Sequence, residues 1–206
     1  MNAWDLIKIQ LELECKGVNA QGDIIPVPCP NPDDIARLMV LKYDDDYAVF
    51  FRYDFPSVFR SSLAALLPKT LFTEHERVQA ILSHHKPCLK VWIGKSFIFP
   101  DQLRERSFPD VVKLAEENSF AMIVDGEIAS SCSSSRENDS AAEAWVFTEP
   151  NHRKRGFGKQ VTAAWAQFFL EQGKIPFYSY HVGNSASEGI ARSLGLIEFV
   201  HFVAYP

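Results

Sequence analysis

Residues 143–172, EAWVFTEPNHRKRGFGKQVTAAWAQFFLEQ, constrain the fold more than any other stretch of the chain. Four cationic side chains, Arg153, Lys154, Arg155 and Lys159, surround Gly156, Phe157 and Gly158. Ahead of them Ala142, Ala144 and Val146 alternate with Glu143, Trp145 and Phe147, the two-residue period of a strand whose faces differ. Behind them Val161, Ala164, Trp165 and Phe168 recur at helical spacing, so a helix begins at the glycines. The first N–H groups of a helix have no internal partner and point outward with the positive end of the dipole. Glycine removes the Cβ atoms that would block a pyrophosphate, and Arg and Lys add charge-assisted bonds. The segment therefore predicts a phosphorylated guest.

Spacing narrows the guest. A Walker loop needs GxxxxGK with Ser or Thr, and a dinucleotide fold needs GxGxxG with an acidic partner; neither is present. What stands here is RxxGxG, carried by Arg153, Gly156 and Gly158. A second signature, PFYSYHVGNSASEGIARSLGL at residues 176–196, reads as a short strand, an Asn184 or Ser185 cap, a helix to Leu194 and a Leu-Gly-Leu exit. With these motifs residues 119–205 resemble the GNAT superfamily of N-acetyltransferases, whose pyrophosphate loop has Gln or Arg, two residues, Gly, one residue, then Gly or Ala.

The resemblance implies an α/β (α+β) protein, with a mixed, mostly antiparallel sheet flanked by helices and an N-terminal α+β extension. It implies acetyl-CoA as the acyl donor, with the loop Arg153, Lys154, Arg155, Gly156, Phe157, Gly158 and Lys159 at its pyrophosphate. It also implies that the main chain of Val146, Phe147 and Thr148 pairs with pantetheine, and that Asn184 touches the cofactor where two parallel strands splay. Glu143 matches a position that often serves as general base through water; it reads equally as a carboxylate paired with a surface cation. Many relatives place a tyrosine acid four residues before the closing glycine of the last helix. Counted from Gly195, that position is Ala191, so the acid is unassigned; Tyr178, Tyr180 and His181 are near it in sequence and read first as packing residues.

A chain of 206 residues should bury roughly 70% of its unfolded surface, so it holds its own core. At 47% hydrophobic and 13% aromatic residues it reads as folded rather than disordered, and no apolar run approaches the roughly 20 residues needed to cross a bilayer. The start is acidic and amphipathic, without the pattern of an export signal. Cys15, Cys29, Cys88 and Cys132 lie far apart, as thiols in a reducing cytoplasm would. A formal charge of −5 disfavours nucleic acid. The six histidines have no zinc spacing, so no metal is expected, and a hydrolase elbow GxSxG is absent.

Along the chain, residues 4–15 carry both a strand-like alternation and helix-forming side chains, and we read a helix. Residues 17–32 predict a loop, and residues 35–43 with 47–53 a hairpin around Asp44, Asp45 and Asp46. Helices are expected from Pro56 to a stop at Pro68, over 74–84, and over 108–117. Hairpins are expected at Gly94-Lys95, joining 89–93 to 96–99, and at Asp125-Gly126, joining 120–124 to 128–132 before a loop at 136–140. The chain divides into an α+β portion at 1–100, packed on the rest, and a GNAT-like domain at 101–206. Its single closing strand leaves either a partner strand from the N-terminal half or an open edge for a homodimer.

The activity implied is acetyl-CoA-dependent N-acetylation of a primary amine, on a small molecule. The alternatives are a protein or peptide amine and a non-catalytic acyl-CoA-binding module. Asp44, Asp45, Asp46, Glu137 and Asp139 are the anionic candidates for attracting a cationic acceptor, against a solvated acidic turn.

Overall fold

The computed structural model describes residues 1–27, 35–114 and 118–206. They form two units: residues 1–95 with 199–206, and residues 96–198.

In the first unit, helix α1 (Ala3–Glu14) settles the conflict between alternation and propensity: the Asn2 side chain caps it by accepting from Asp5 N at 2.9 Å, and Leu6, Ile7, Leu11 and Leu13 are buried. The loop expected at 17–32 contains a hairpin instead, β1 (Cys15–Val18) against β2 (Ile24–Pro26), with residues 28–32 outside the described residues. Its turn is made by Asn19, whose side-chain oxygen accepts from Gln21 N and Asp23 N at 2.9 and 2.8 Å, a local bond that needs no hydrophobic period. Strands β3 (Leu38–Tyr43) and β4 (Asp46–Phe51) form the expected hairpin, with Asp44 at φ 47° in the turn.

Helices α2 (Ser57–Ala64), α3 (Pro68–Thr73) and α4 (His75–Ser83) follow. Pro68, expected as a stop, also opens α3, where its missing N–H costs nothing. The hairpin expected at Gly94-Lys95 is instead one continuous strand, β5 (Trp92–Ile98); Gly94 keeps a negative-φ backbone and is buried within it. The closing strand β11 (Ile197–Tyr205) pairs antiparallel with β3, from His201 opposite Lys42 to Tyr205 opposite Leu38. The N-terminal half thus supplies the neighbour of that strand. Tyr205 anchors it, donating its phenol to Leu71 O at 2.7 Å.

In the second unit the neighbouring strands run β10 (Ile175–His181), β9 (Ala141–Thr148), β8 (Glu127–Glu137), β7 (Phe120–Val124) and β6 (Val111–Lys113). Strand β6 corrects the helix expected over 108–117: Val111 to Lys113 pair antiparallel with Met122 to Phe120 and complete that sheet, and residues 115–117 lie outside the described residues. The Asp125-Gly126 turn is as expected, with both residues at positive φ. Strand β8 runs further than predicted, to Glu137. The β9–β10 pair is parallel and the other three pairings are antiparallel, a mixed and mostly antiparallel sheet flanked by helices.

Helix α5 (Phe157–Glu171) buries Val161, Trp165 and Phe169 against Phe120, Met122, Cys132 and Ala142. Helix α6 (Ser185–Leu194) adds Ala191 and Leu194 to this core. Gly158, in the first turn of α5, sets how closely the layers approach: a Cβ there would stand 3.1 Å from Thr148 Oγ1 and 3.2 Å from Ile190 Cδ1. Gly158→Val therefore forces α5 away from β9 and α6. The expected cost is about 1–3 kcal/mol, read as a lower urea midpoint at unchanged slope, with Gly158→Ala falling between it and the native chain.

Candidate active site

Strand β9, the loop after it and the start of α5 are built by local chemistry. Pro150 opens a short turn through His152, Lys154 takes φ 60°, and Gly156 takes φ 82° as the residue preceding the helix. No side chain caps the helix, so its first amides remain open to an external acceptor. A Cβ on Gly156 would meet nothing within 4 Å, so that glycine is needed for its backbone angle and leaves open space in front of the amides. The two glycines therefore do different work: Gly156 shapes the turn and Gly158 admits the helix to the sheet.

The cations around this helix start are mostly exposed, and two are held by neighbours. Arg153 Nε donates to Thr148 O at 3.1 Å, tying the loop to the end of β9. Arg155 donates to His152 Nδ1 at 2.9 Å while its guanidinium lies 4.7 Å over the Phe157 ring. A guanidinium has no acceptor, so His152 accepts there through a neutral ring nitrogen. In the sequence His152 is a lone histidine in a basic loop without a metal-ligand spacing, and nothing there marks it as a partner of Arg155.

The parallel rungs between β10 and β9 run from Ile175 opposite Ala141 to Phe177 opposite Glu143. Strand β9 continues five residues past that last rung, to Thr148, paired with β8 on its other side. Its Ala144–Thr148 edge is thus left without β10 rungs, and Val146, Phe147 and Thr148 lie along it. Ser130 steadies this end, donating to Phe147 O at 3.0 Å and lying 2.8 Å from Thr148 Oγ1. Glu143, at the last rung, is only 6% exposed, and its carbonyl accepts from Ser135 Oγ at 3.2 Å beside an irregularity in β8. Asn184 caps α6 as expected, its side-chain oxygen accepting from Ser187 N at 3.1 Å, which leaves its NH2 group as the donor.

Tyr178 follows the last β10 rung and points into the α5–α6 core, buried with Ala191. Its Oη is enclosed without a hydrogen bond of ordinary geometry. Burial pushes the phenol up to about 12; Ser187 nearby pulls the other way, and Cys132, Tyr180 and Glu143 add to the rise. Cys132 beside it is raised by burial, with Thr162 opposing. Tyr180 stacks on Phe97, with ring centres 5.4 Å apart.

Glu137 accepts from Lys174 Nζ at 2.9 Å and braces a strand end, while Asp44 and Asp45 form the β3–β4 turn. Among the described residues no cluster of His, Cys, Asp or Glu could hold a metal ion, and no helix is long and apolar enough to cross a membrane.

Residues 114–205 match the family model of GNAT acetyltransferases. Two solved structures share the fold: a GNAT-family protein from Novosphingobium aromaticivorans, 16% identical with a TM-score of 0.50, over 57% of this chain and 65% of that one; and an acetyltransferase of the GNAT family from Colwellia psychrerythraea, 11% identical with a TM-score of 0.51, over 91% of this chain and 78% of that one. No curated protein matches significantly.

The enclosed phenol yields a stability prediction. Tyr178→Phe removes a buried hydroxyl that lacks a partner, so stability at neutral pH is expected unchanged or higher by up to about 1 kcal/mol. Between pH 10 and about 12 the unfolded chain ionises this tyrosine and the folded chain does not, so stability falls there as pH rises. Denaturation followed across that window should show a shallower loss in Tyr178→Phe.

Proposed function

We propose that this chain, whose residues 114–205 match the GNAT acetyltransferase family model, transfers an acetyl group from acetyl-CoA to the primary amine of a small molecule. The observation that carries this reading is the meeting of two features of the backbone: the uncapped start of α5 and the β9 edge beyond the last β10 rung. The first fits a pyrophosphate, with Arg153, Lys154, Arg155 and Lys159 around it and open space at Gly156. The second fits an extended amide chain, which could bond to the main chain of Val146, Phe147 and Thr148 as an added strand does. Asn184, at the start of α6, offers its NH2 group to the same guest.

Bound acetyl-CoA supplies the thioester whose C–S bond breaks as the new C–N bond forms, releasing the thiol. The rest is done by the chain. The edge of β9 holds the reacting carbon in one orientation, which can be worth several kcal/mol. Glu143 takes a proton from the amine, directly or through water, because a free alkylammonium with a pKa of about 10.4 is not a nucleophile at neutral pH. A base of this kind contributes roughly 10²- to 10⁴-fold.

Two experiments test the assignments. Gly156→Asp places a carboxylate in front of the α5 amides, and Gly156→Asn is its neutral counterpart with similar tolerance for positive φ. Calorimetry should show CoA binding about tenfold or more weaker in the Asp variant than in the Asn variant; equal affinities would remove the site from this loop. Glu143→Gln should keep CoA affinity and lower kcat/KM by about 10²-fold or more where the amine is protonated, with the deficit narrowing as pH approaches the amine's own pKa. A full rate at every pH would make Glu143 structural.

A further inference from the structure

The two faces of β9 are unlike. Ala142, Ala144 and Val146 turn toward α5 and join its core, whereas Glu143, Trp145 and Phe147 share the opposite face. Along that face exposure rises from 6% at Glu143 to 56% at Trp145 and 40% at Phe147. The two rings are stacked on each other, with centres 6.3 Å apart and planes within 10°. Across the ladder Ser133 stands opposite Trp145 and Ser131 opposite Phe147, so small hydroxyl side chains flank the rings and do not cover them. A tryptophan and a phenylalanine held parallel on a rigid strand, and left open, differ from the scattered exposed apolar residues of an ordinary surface.

We propose that this aromatic wall is the seat of the acceptor's body, and that the acceptor is a primary amine joined by a short alkyl spacer to a flat aromatic ring. The inference rests on the acetyl-transfer reading above and on Glu143 as the proton acceptor. Its argument is charge and distance. Glu143 and Trp145 are two residues apart on one face of a strand, about 6.8 Å, which a spacer of about two carbons between ring and nitrogen covers. The buried carboxylate marks the end that receives the cation, and the open rings mark the end that receives the apolar body. Ser131, Ser133, Trp145 and Phe147 carry no charge, so a second cationic group seated among them, as in a polyamine, meets no counterion from these four side chains. Offset stacking on Trp145 favours a ring over an alkyl chain of equal length.

The test uses the full chain with saturating acetyl-CoA and three amines: 2-phenylethylamine, hexylamine and spermidine. The expected ranking in kcat/KM has 2-phenylethylamine first by about tenfold or more. Trp145→Ala should remove that lead by raising KM for 2-phenylethylamine about tenfold more than KM for hexylamine. Equal rates for the aryl and alkyl amines, a preference for spermidine, or a Trp145→Ala loss common to all three would overturn the inference and leave acetyl transfer standing. Should none of the amines turn over, the acetyl-transfer reading fails, and calorimetry of 2-phenylethylamine still decides the seat. Binding that Trp145→Ala weakens about tenfold supports it; no binding to the native chain overturns it.

Discussion

The contact on which the candidate site depends is the approach of α5 to β9 at Gly158. Thr148 Oγ1, Ile190 Cδ1 and Val146 Cγ2 lie 3.1, 3.2 and 3.8 Å from where a Cβ would be, so three elements converge on one absent methyl group. Because the helix can come that close, its open amides stand beside the end of β9 instead of a side chain's width away. Thr148 is held in turn by Ser130, and Arg153 is tied back to Thr148 O, so strand end, loop and helix start are fixed together. Preorganisation of this kind matters because donors already in place need not be ordered when an anion arrives.

Strand β9 then does several jobs at once, and its geometry keeps them apart. One edge is paired with β8 and carries the fold, while the other runs on past Glu143 without β10 rungs. One face is core and the other holds Glu143, Trp145 and Phe147. The two-residue period of a strand is what separates a packing role from a chemical role along a single run of eight residues.

Much of this was legible in the sequence where the signal is local. The strand–glycine–helix pattern at 143–172, the Asn184 cap and the Asp125-Gly126 turn each rest on residues within a few positions of one another, and each folds as read. What failed was non-local or too short to show a period. Strand β6 has three residues and exists because Met122, Ala121 and Phe120 accept it as a neighbour; the isolated sequence favours a helix start at Phe108-Pro109-Asp110. Gly94-Lys95 looks like a turn, yet Gly94 stays within one extended strand. The pairing of β11 with β3 joins residues some 160 positions apart, and no pattern within either strand names the other. In the site, the loop cations were visible as a cluster, but which neighbour holds each was not: His152 and Thr148 O are ordinary groups until the fold brings them to Arg155 and Arg153.

The small side chain at Ala191 and the enclosed phenol of Tyr178 bear on how charge can be handled near the strand gap. Both are buried in one core, and the hydroxyl has been desolvated without a protein partner. A tyrosine that stays protonated up to about pH 12 differs from an ordinary acid catalyst. With its proton held by burial and its Oη enclosed among α5 and α6, the phenol stands as a packing group, the role its sequence position first suggests. In the reading proposed above the proton passes from the amine to Glu143, which stands at the last β10 rung and two residues from Trp145.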